Sequence, residues 1–104
     1  AAVVCGTGCQ VSNLTIQHQS GGSSYASGVY FNGENYVYLD NLEIKIEGTA
    51  SSTSSYGIHA ISGNNVYITD VIINISKGTG TNYGIYNSGT SPEITNCPFI
   101  SLKL

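Results

Sequence analysis

The chain of 104 residues has no Arg, Met or Trp, and only 9% of its residues are charged. Three Lys stand against six Asp and Glu, which gives a formal net charge of −3. Because nucleic-acid-binding proteins neutralise phosphates with Lys and Arg, this composition excludes a partner recognised in that way. No apolar run reaches the roughly 20 residues of a membrane-spanning helix, so the sequence predicts no membrane span.

A composition that favours helices is lacking as well. The chain has 13 Gly, and each would destabilise a helix by roughly 1 kcal/mol relative to Ala. Ser, Thr and Asn are abundant, and the length suits one modest hydrophobic core. We therefore expect a single all-β domain over residues 1–104.

The sequence repeats itself about every 28 residues. The pattern apolar-x-Asn/Asp-apolar-x-apolar occurs four times, beginning at Val11, Leu39, Ile68 and Ile94, with spacings of 28, 29 and 26 residues. A second motif centred on a glycine recurs in phase with it, at Gly28, Gly57 and Gly84. Two motifs that keep register over successive repeats are typical of a solenoid, in which each repeat stacks on its neighbours.

Each repeat is predicted to form one coil with three short strands, because period-2 alternation is broken there by Gly, Asn or Ser. In the second repeat these segments are 57–61, 66–68 and 71–75. Stacking would align apolar residues of successive coils into three interior columns. The columns are Leu14, Leu42, Val71 and Cys97; Ile16, Ile44, Ile73 and Phe99; and Val29, Ile58 and Ile85.

A polar column is predicted at the corner between the second and third strands of each coil. It consists of Asn13, Asn41, Asp70 and Asn96. Asn and Asp tolerate the left-handed backbone conformation of a tight corner, and their side chains bond to neighbouring groups. We interpret this column as structural, a corner ladder, rather than catalytic or metal-binding.

These repeats, and phrases such as Ser91–Phe99 with Asn at the corner, resemble the right-handed parallel β-helix of pectin-lyase-like proteins. The resemblance covers nearly the whole chain and implies about four coils of 26–29 residues. The right hand also follows from the general chirality of parallel crossovers. The family includes lyases, hydrolases, phage tailspikes and adhesins, so the resemblance specifies architecture better than function.

No convincing catalytic group emerges from the sequence, and we predict that the chain is not an enzyme. A lyase of this family would need an Arg base, which the chain lacks. Asp40 and Asp70, on adjacent coils, are a weak candidate for a glycosidase pair. His18 and His59 have no partner at a recognisable spacing, and no metal-ligand cluster stands out, so no metal or cofactor is predicted.

Aromatic side chains align on the outward face of the predicted strands. Tyr30, His59 and Tyr86 share one position of the first strand, and Tyr38 and Tyr67 share one position of the second. Such a ladder can stack on itself, on a neighbouring protomer or fibre, or on the rings of a glycan. All three interpretations remain open from the sequence.

Several features favour an extracellular or cell-surface location. Cys5 and Cys9 could close a small disulfide loop, which persists in oxidising compartments. Cys97 falls on an interior column, although the odd number of Cys also allows an intermolecular bridge. Asn13 and Asn74 begin glycosylation sequons.

The predicted coils carry no capping helix or charged edge device at either end. A solenoid of whole coils is complementary to itself head to tail, and such a contact generates a filament. We therefore expect a structural subunit that stacks into a fibre. The alternatives are a segment of a larger β-helical tailspike, adhesin or polysaccharide-processing enzyme, or a glycan-binding module.

Overall fold

The computed structural model describes residues 2–20, 26–48, 54–76, 81–98 and 102–103. These residues form nine strands, and none of them lies in a helix, so no helix within these ranges could cross a membrane. The strands β1 to β9, in chain order, are Val3–Val4, Gln10–Ser20, Ala26–Asn32, Val37–Gly48, Ser55–Gly63, Val66–Ser76, Asn82–Thr90, Glu93–Thr95 and Leu102–Lys103.

Successive strands alternate between two sheets. The odd-numbered strands form a five-stranded sheet in the order β1-β3-β5-β7-β9, and the even-numbered strands form a four-stranded sheet in the order β2-β4-β6-β8. Every pairing is parallel and joins strands two apart in the chain. The all-β, parallel-strand part of the predicted fold is therefore confirmed.

The strand register follows the repeat that the sequence shows. Leu39 lies opposite Val11 on one side and opposite Ile68 on the other, and Ile68 lies opposite Ile94. These offsets of 28, 29 and 26 residues are the motif spacings. The apolar motif therefore marks the residues that pair across the four-stranded sheet.

The described residues of each repeat form two strands, whereas the sequence predicted three. The predicted second and third segments, 66–68 and 71–75, belong to the single strand β6. Pairing with β4 continues on both sides of Asp70 and skips only that residue. The corner leaves one residue unpaired and bends the strand, but the strand continues beyond it. The side chains after the corner therefore alternate between the two faces in the opposite order, while the sheet remains continuous.

The core lies between the two sheets and is built from the predicted columns. Leu42 and Val71 are at most 2% exposed, and Val29, Ile58 and Ile85 are fully buried. Ile16, Ile44 and Ile73 are buried too. Full burial of one such side chain contributes roughly 1.5–3 kcal/mol.

Two members of the first column depart from the predicted interior position. Leu14 is 45% exposed, because it lies on β2, the edge strand of its sheet, and no described strand covers its outer side. Cys97 is only partly buried, just after the opposite edge strand β8. Phe99, predicted for the second column, lies outside the described residues.

The turns that lead from one sheet to the other also stack. Gly8 N–H donates to the Asn35 carbonyl (2.9 Å), and Tyr36 N–H donates to the Asn64 carbonyl (3.1 Å). Gly8, Tyr36 and Asn65 occupy equivalent places, and all have positive φ, at 79°, 57° and 58°. The backbone ladder thus extends through the turn, at a conformation that Gly and Asn adopt more readily than Tyr.

Candidate functional site

The corner ladder crosses the outer face of the four-stranded sheet, at the bend within β2, β4 and β6 and just after β8. Asn13, Asn41, Asp70 and Asn96 all have left-handed φ values between 53° and 59°. The Asn41 side-chain amide donates to Oδ1 of Asn13 (2.8 Å), and the Asn96 amide donates to Oδ1 of Asp70 (2.5 Å). Backbone and side chains therefore have the conformation and the mutual bonding expected of a structural corner.

A cluster of five aromatic rings lies on the outer face of the five-stranded sheet. It contains the predicted Tyr30, His59 and Tyr86, together with Tyr56 and Tyr83, which the sequence analysis missed. The His59 ring lies 4.5 Å from that of Tyr56 and 5.2 Å from those of Tyr30 and Tyr86. Tyr83 stacks on Tyr56 at 5.8 Å. This aromatic cluster spans β3, β5 and β7.

Tyr56 and His59 share a face only because the strand bends between them. Pairing of β5 with both neighbours skips Gly57, so the alternation changes phase there. A Cβ on Gly57 would lie 2.5 Å from Cγ2 of Ile73 and 2.6 Å from the Gly84 carbonyl oxygen. The recurring Tyr-Gly-Ile motif is the signal that could have revealed the missed rings.

His59 is far less exposed than the predicted outward position implied, at 6%. The correction has a simple cause, since the neighbouring tyrosines cover its ring. Burial lowers the pKa of His59 below its ordinary value, because removal from water disfavours the charged imidazolium. Burial also lowers the pKa of His18, with a smaller contribution from the positive N-terminus.

Tyr38 and Tyr67 form a second, separate stack on the four-stranded sheet. Their rings are nearly parallel, 8° apart, with centroids separated by 5.1 Å. Each ring therefore covers one face of the other, which is the arrangement of a ladder that stabilises the sheet. The two ring faces that lie between the tyrosines are covered by this stacking. A sugar ring could therefore stack only on the outer face of either ring.

A polar groove of about 420 Å³ runs across the outer face of β2, β4 and β6. Its described lining includes Gln17, Lys45 and Asn74, which are in register, but no Tyr or Phe. The Lys45 ammonium lies 3.1 Å from the Glu43 carboxylate, and both side chains are exposed. Among the described lining residues, no tyrosine or phenylalanine offers a face on which a sugar ring could stack.

The two predicted carboxylates occupy neighbouring places but different roles. Asp40 is exposed and lies opposite Thr69, one residue before the corner, whereas Asp70 is at the corner and accepts the bond from Asn96. Within the described ranges no three His, Cys, Asp or Glu residues gather in a way that could hold a metal ion.

The cysteines and sequons are placed as follows. Cys5 and Cys9 form a disulfide bond across the turn that leads from β1 into β2, with 5.4 Å between their Cα atoms. Cys97 is a free thiol. Of the two sequon asparagines, Asn13 is in the corner ladder, and Asn74 is exposed in β6.

The two edges of the four-stranded sheet are only partly covered. Val11 and Ile94, the end members of one column, are partly buried, whereas Leu39 and Ile68 between them are at most 1% exposed. The trans peptide geometry also fixes the backbone here: the Cys9 carbonyl accepts from Tyr38 N–H (2.9 Å), so Gln10 N–H points away from β4. Each edge thus exposes the end residues of apolar columns, together with backbone groups with which another strand can form hydrogen bonds.

Comparison with known proteins gives no relative for this chain. It matches no protein-family model, and neither the curated proteins nor the solved structures contain a match to it. The pectin-lyase-like resemblance therefore rests on the sequence motifs, and function must be argued from the geometry.

Proposed function

We propose that this chain is a structural subunit, a right-handed β-solenoid of about four coils that stacks head to tail into an extracellular fibre. The observation that carries the proposal is the exposure of Leu14 on one edge strand, in the same column as buried Leu42 and Val71. A second copy whose β8 lies against β2 in the same register would cover Leu14 with Cys97 and restore the column. In the other sheet, β1 of the first copy then replaces β9 of the second copy beside β7.

The backbone supports the same contact. Gln10 N–H points away from β4, and β8 forms the opposite edge of the sheet. Adding a parallel strand at such an edge satisfies the main-chain groups, while the side chains of alternate residues determine the register. A contact between two different faces of one molecule does not close, so it generates a filament rather than a dimer.

The right hand of the coil is supported by the connections between parallel neighbours of one sheet, such as β1 to β3 by way of β2, because such connections are right-handed in nearly all proteins. The extracellular location is supported by the disulfide between Cys5 and Cys9, since such bonds persist mainly in oxidising compartments.

Cross-linking tests the stacked register directly. Aligned residues of adjacent parallel strands are close enough for a disulfide, whose Cα atoms lie roughly 4.4–6.8 Å apart. Under mild oxidation, Leu14→Cys should therefore join one copy to Cys97 of the next and give a ladder of covalent multimers on a non-reducing gel. Leu14→Ser, and Leu14→Cys combined with Cys97→Ser, are the matched controls and should give monomers.

Electron microscopy of the parent chain provides the second measurement. Unbranched fibres are expected at high concentration, and monodisperse compact monomers together with an absent cross-link would refute the stacking proposal. In that case the open edges are better explained as the surfaces that further coils of a larger β-helical protein cover. The intact mass of the natural chain purified from its source distinguishes these two outcomes.

A further inference from the structure

The corner ladder has a direction. In both hydrogen bonds that the structure shows, the residue from the later repeat donates its amide to an oxygen of the residue from the earlier repeat: Asn41 to Asn13, and Asn96 to Asp70. An ionised carboxylate can only accept. Asp70 therefore fixes the Asn96 amide, whose Nδ2 must face Asp70 and whose oxygen must face away.

The step between the two bonded pairs shows what a carboxylate does to this ladder. No hydrogen bond joins Asn41 to Asp70, although both are described and adjacent in the column. Asp70 has no amide with which to donate to the earlier repeat. A carboxylate at the corner thus keeps the bond on its later side and loses the bond on its earlier side.

The ends of the ladder are complementary to each other. Oδ1 of Asn13 accepts from Asn41, so its Nδ2 donor faces the open edge at β2, where it has no partner among the described residues. Nδ2 of Asn96 is engaged with Asp70, so its Oδ1 acceptor faces the opposite open edge. Two β2 edges would bring donor to donor, and two β8 edges would bring acceptor to acceptor.

We infer that Asn13 of one copy donates its side-chain amide to Oδ1 of Asn96 of the next, so that the corner ladder continues through the junction and sets its polarity. The partner is a second copy of this chain, and the inference rests on the proposed stacking, in which β1 of one copy replaces β9 of the next beside β7. The same bond fixes the register, because a shift by one residue would move Asn13 away from the corner and turn the apolar column outward.

Substitution of Asn13 tests this bond with little effect on the subunit. Asn13→Asp copies the situation at Asp70: it can still accept from Asn41 but cannot donate across the junction. Asn13→Gly removes the side chain without adding charge, and both replacements tolerate positive φ. Asn74→Asp adds the same charge on an exposed strand away from both edges and is the matched control.

The measurement is the critical concentration for fibre formation, determined by sedimentation. One lost hydrogen bond per junction should raise it by about 2- to 10-fold for both Asn13 variants, and Asn74→Asp should leave it unchanged. The increase for Asn13→Asp should persist in 1 M salt, where charge repulsion is screened within roughly 3 Å.

The outcomes separate the inference from the proposal on which it rests. Parent fibres with an unchanged critical concentration for the Asn13 variants, or an effect of Asn13→Asp that salt abolishes, would overturn the ladder junction alone. Absence of parent fibres at any concentration would overturn both.

Discussion

The middle of the molecule and its edge strands follow the same sequence pattern but differ in what covers them. Leu42 and Leu14 occupy the same place in adjacent repeats, and the first is 2% exposed while the second is 45% exposed. The same contrast separates Leu39 and Ile68 from Val11 and Ile94. In a stacked protein, burial therefore depends on the surrounding strands as well as on residue type, although Ile16 on the same edge strand as Leu14 is buried without an outer neighbour among the described strands.

The largest expected difference between the two regions comes from one substitution made in each. Leu42→Asp places an unpaired charge between two repeats, which we expect to cost about 3–5 kcal/mol, enough to unfold a marginally stable domain. Leu14→Asp, in the dilute monomer, should cost less than about 1 kcal/mol because water reaches the side chain. Urea denaturation followed by circular dichroism measures both, and equal losses would contradict the assigned edge.

A pair of glycines extends the comparison to the backbone. Gly57→Ala should destabilise the fold by about 1–3 kcal/mol, because the new methyl group would overlap Ile73 and the Gly84 carbonyl. Gly6, near the edge, has no heavy atom within 4 Å of its hypothetical Cβ. Gly6→Ala should therefore change the thermal melting temperature little, and a similar loss for both variants would show that the close approach at Gly57 is absent.

The pH dependence of stability separates the buried His59 from the half-buried His18. Burial lowers the pKa of both side chains in the folded state, so the unfolded chain takes up protons first as the pH falls. Their contribution is complete above the ordinary pKa of about 6.5 and is lost progressively below it. Urea midpoints measured between pH 8 and pH 5 should decline.

Single substitutions show which histidine causes the loss of stability at low pH. His59→Phe keeps a ring among Tyr30, Tyr56 and Tyr86 and should flatten the pH dependence, whereas His18→Gln should leave the contribution of His59 in place. A slope that is the same in His59→Phe as in the parent would show that the aromatic cluster does not disfavour the charged imidazole.

Much of the fold was predictable because, in a stacked repeat, the spacing of the motifs equals the offset between the residues that pair. Leu39 and Ile68 could be aligned from spacing alone, and the corner position of Asn41 followed from the backbone preference of Asn. The strand count was wrong, because the sequence marks the break in alternation at Asp70 but not whether pairing resumes beyond it.

The aromatic cluster was only half predictable, for a related reason. Strict alternation puts Tyr56 and His59 on opposite faces, since they are three residues apart. Only the bend at Gly57 brings them to the same face, and Ile73 of the other sheet packs closely against that glycine. The sequence of a single repeat does not show which residues of the two sheets will contact each other.

The smallest expected change in stability concerns a turn in the middle of the molecule. The residue in this turn suits the turn conformation less well than the equivalent residues of the neighbouring repeats. Tyr36 has a φ of 57° and is 53% exposed, while the equivalent places hold Gly8 and Asn65. Tyr36→Asn should stabilise the fold by about 1 kcal/mol, because Asn adopts the left-handed conformation at lower cost and little buried area is lost. The reverse change, Asn65→Tyr, should cost a similar amount in the same urea titration. Destabilisation by Tyr36→Asn would mean that the tyrosine ring contributes packing that outweighs its backbone strain.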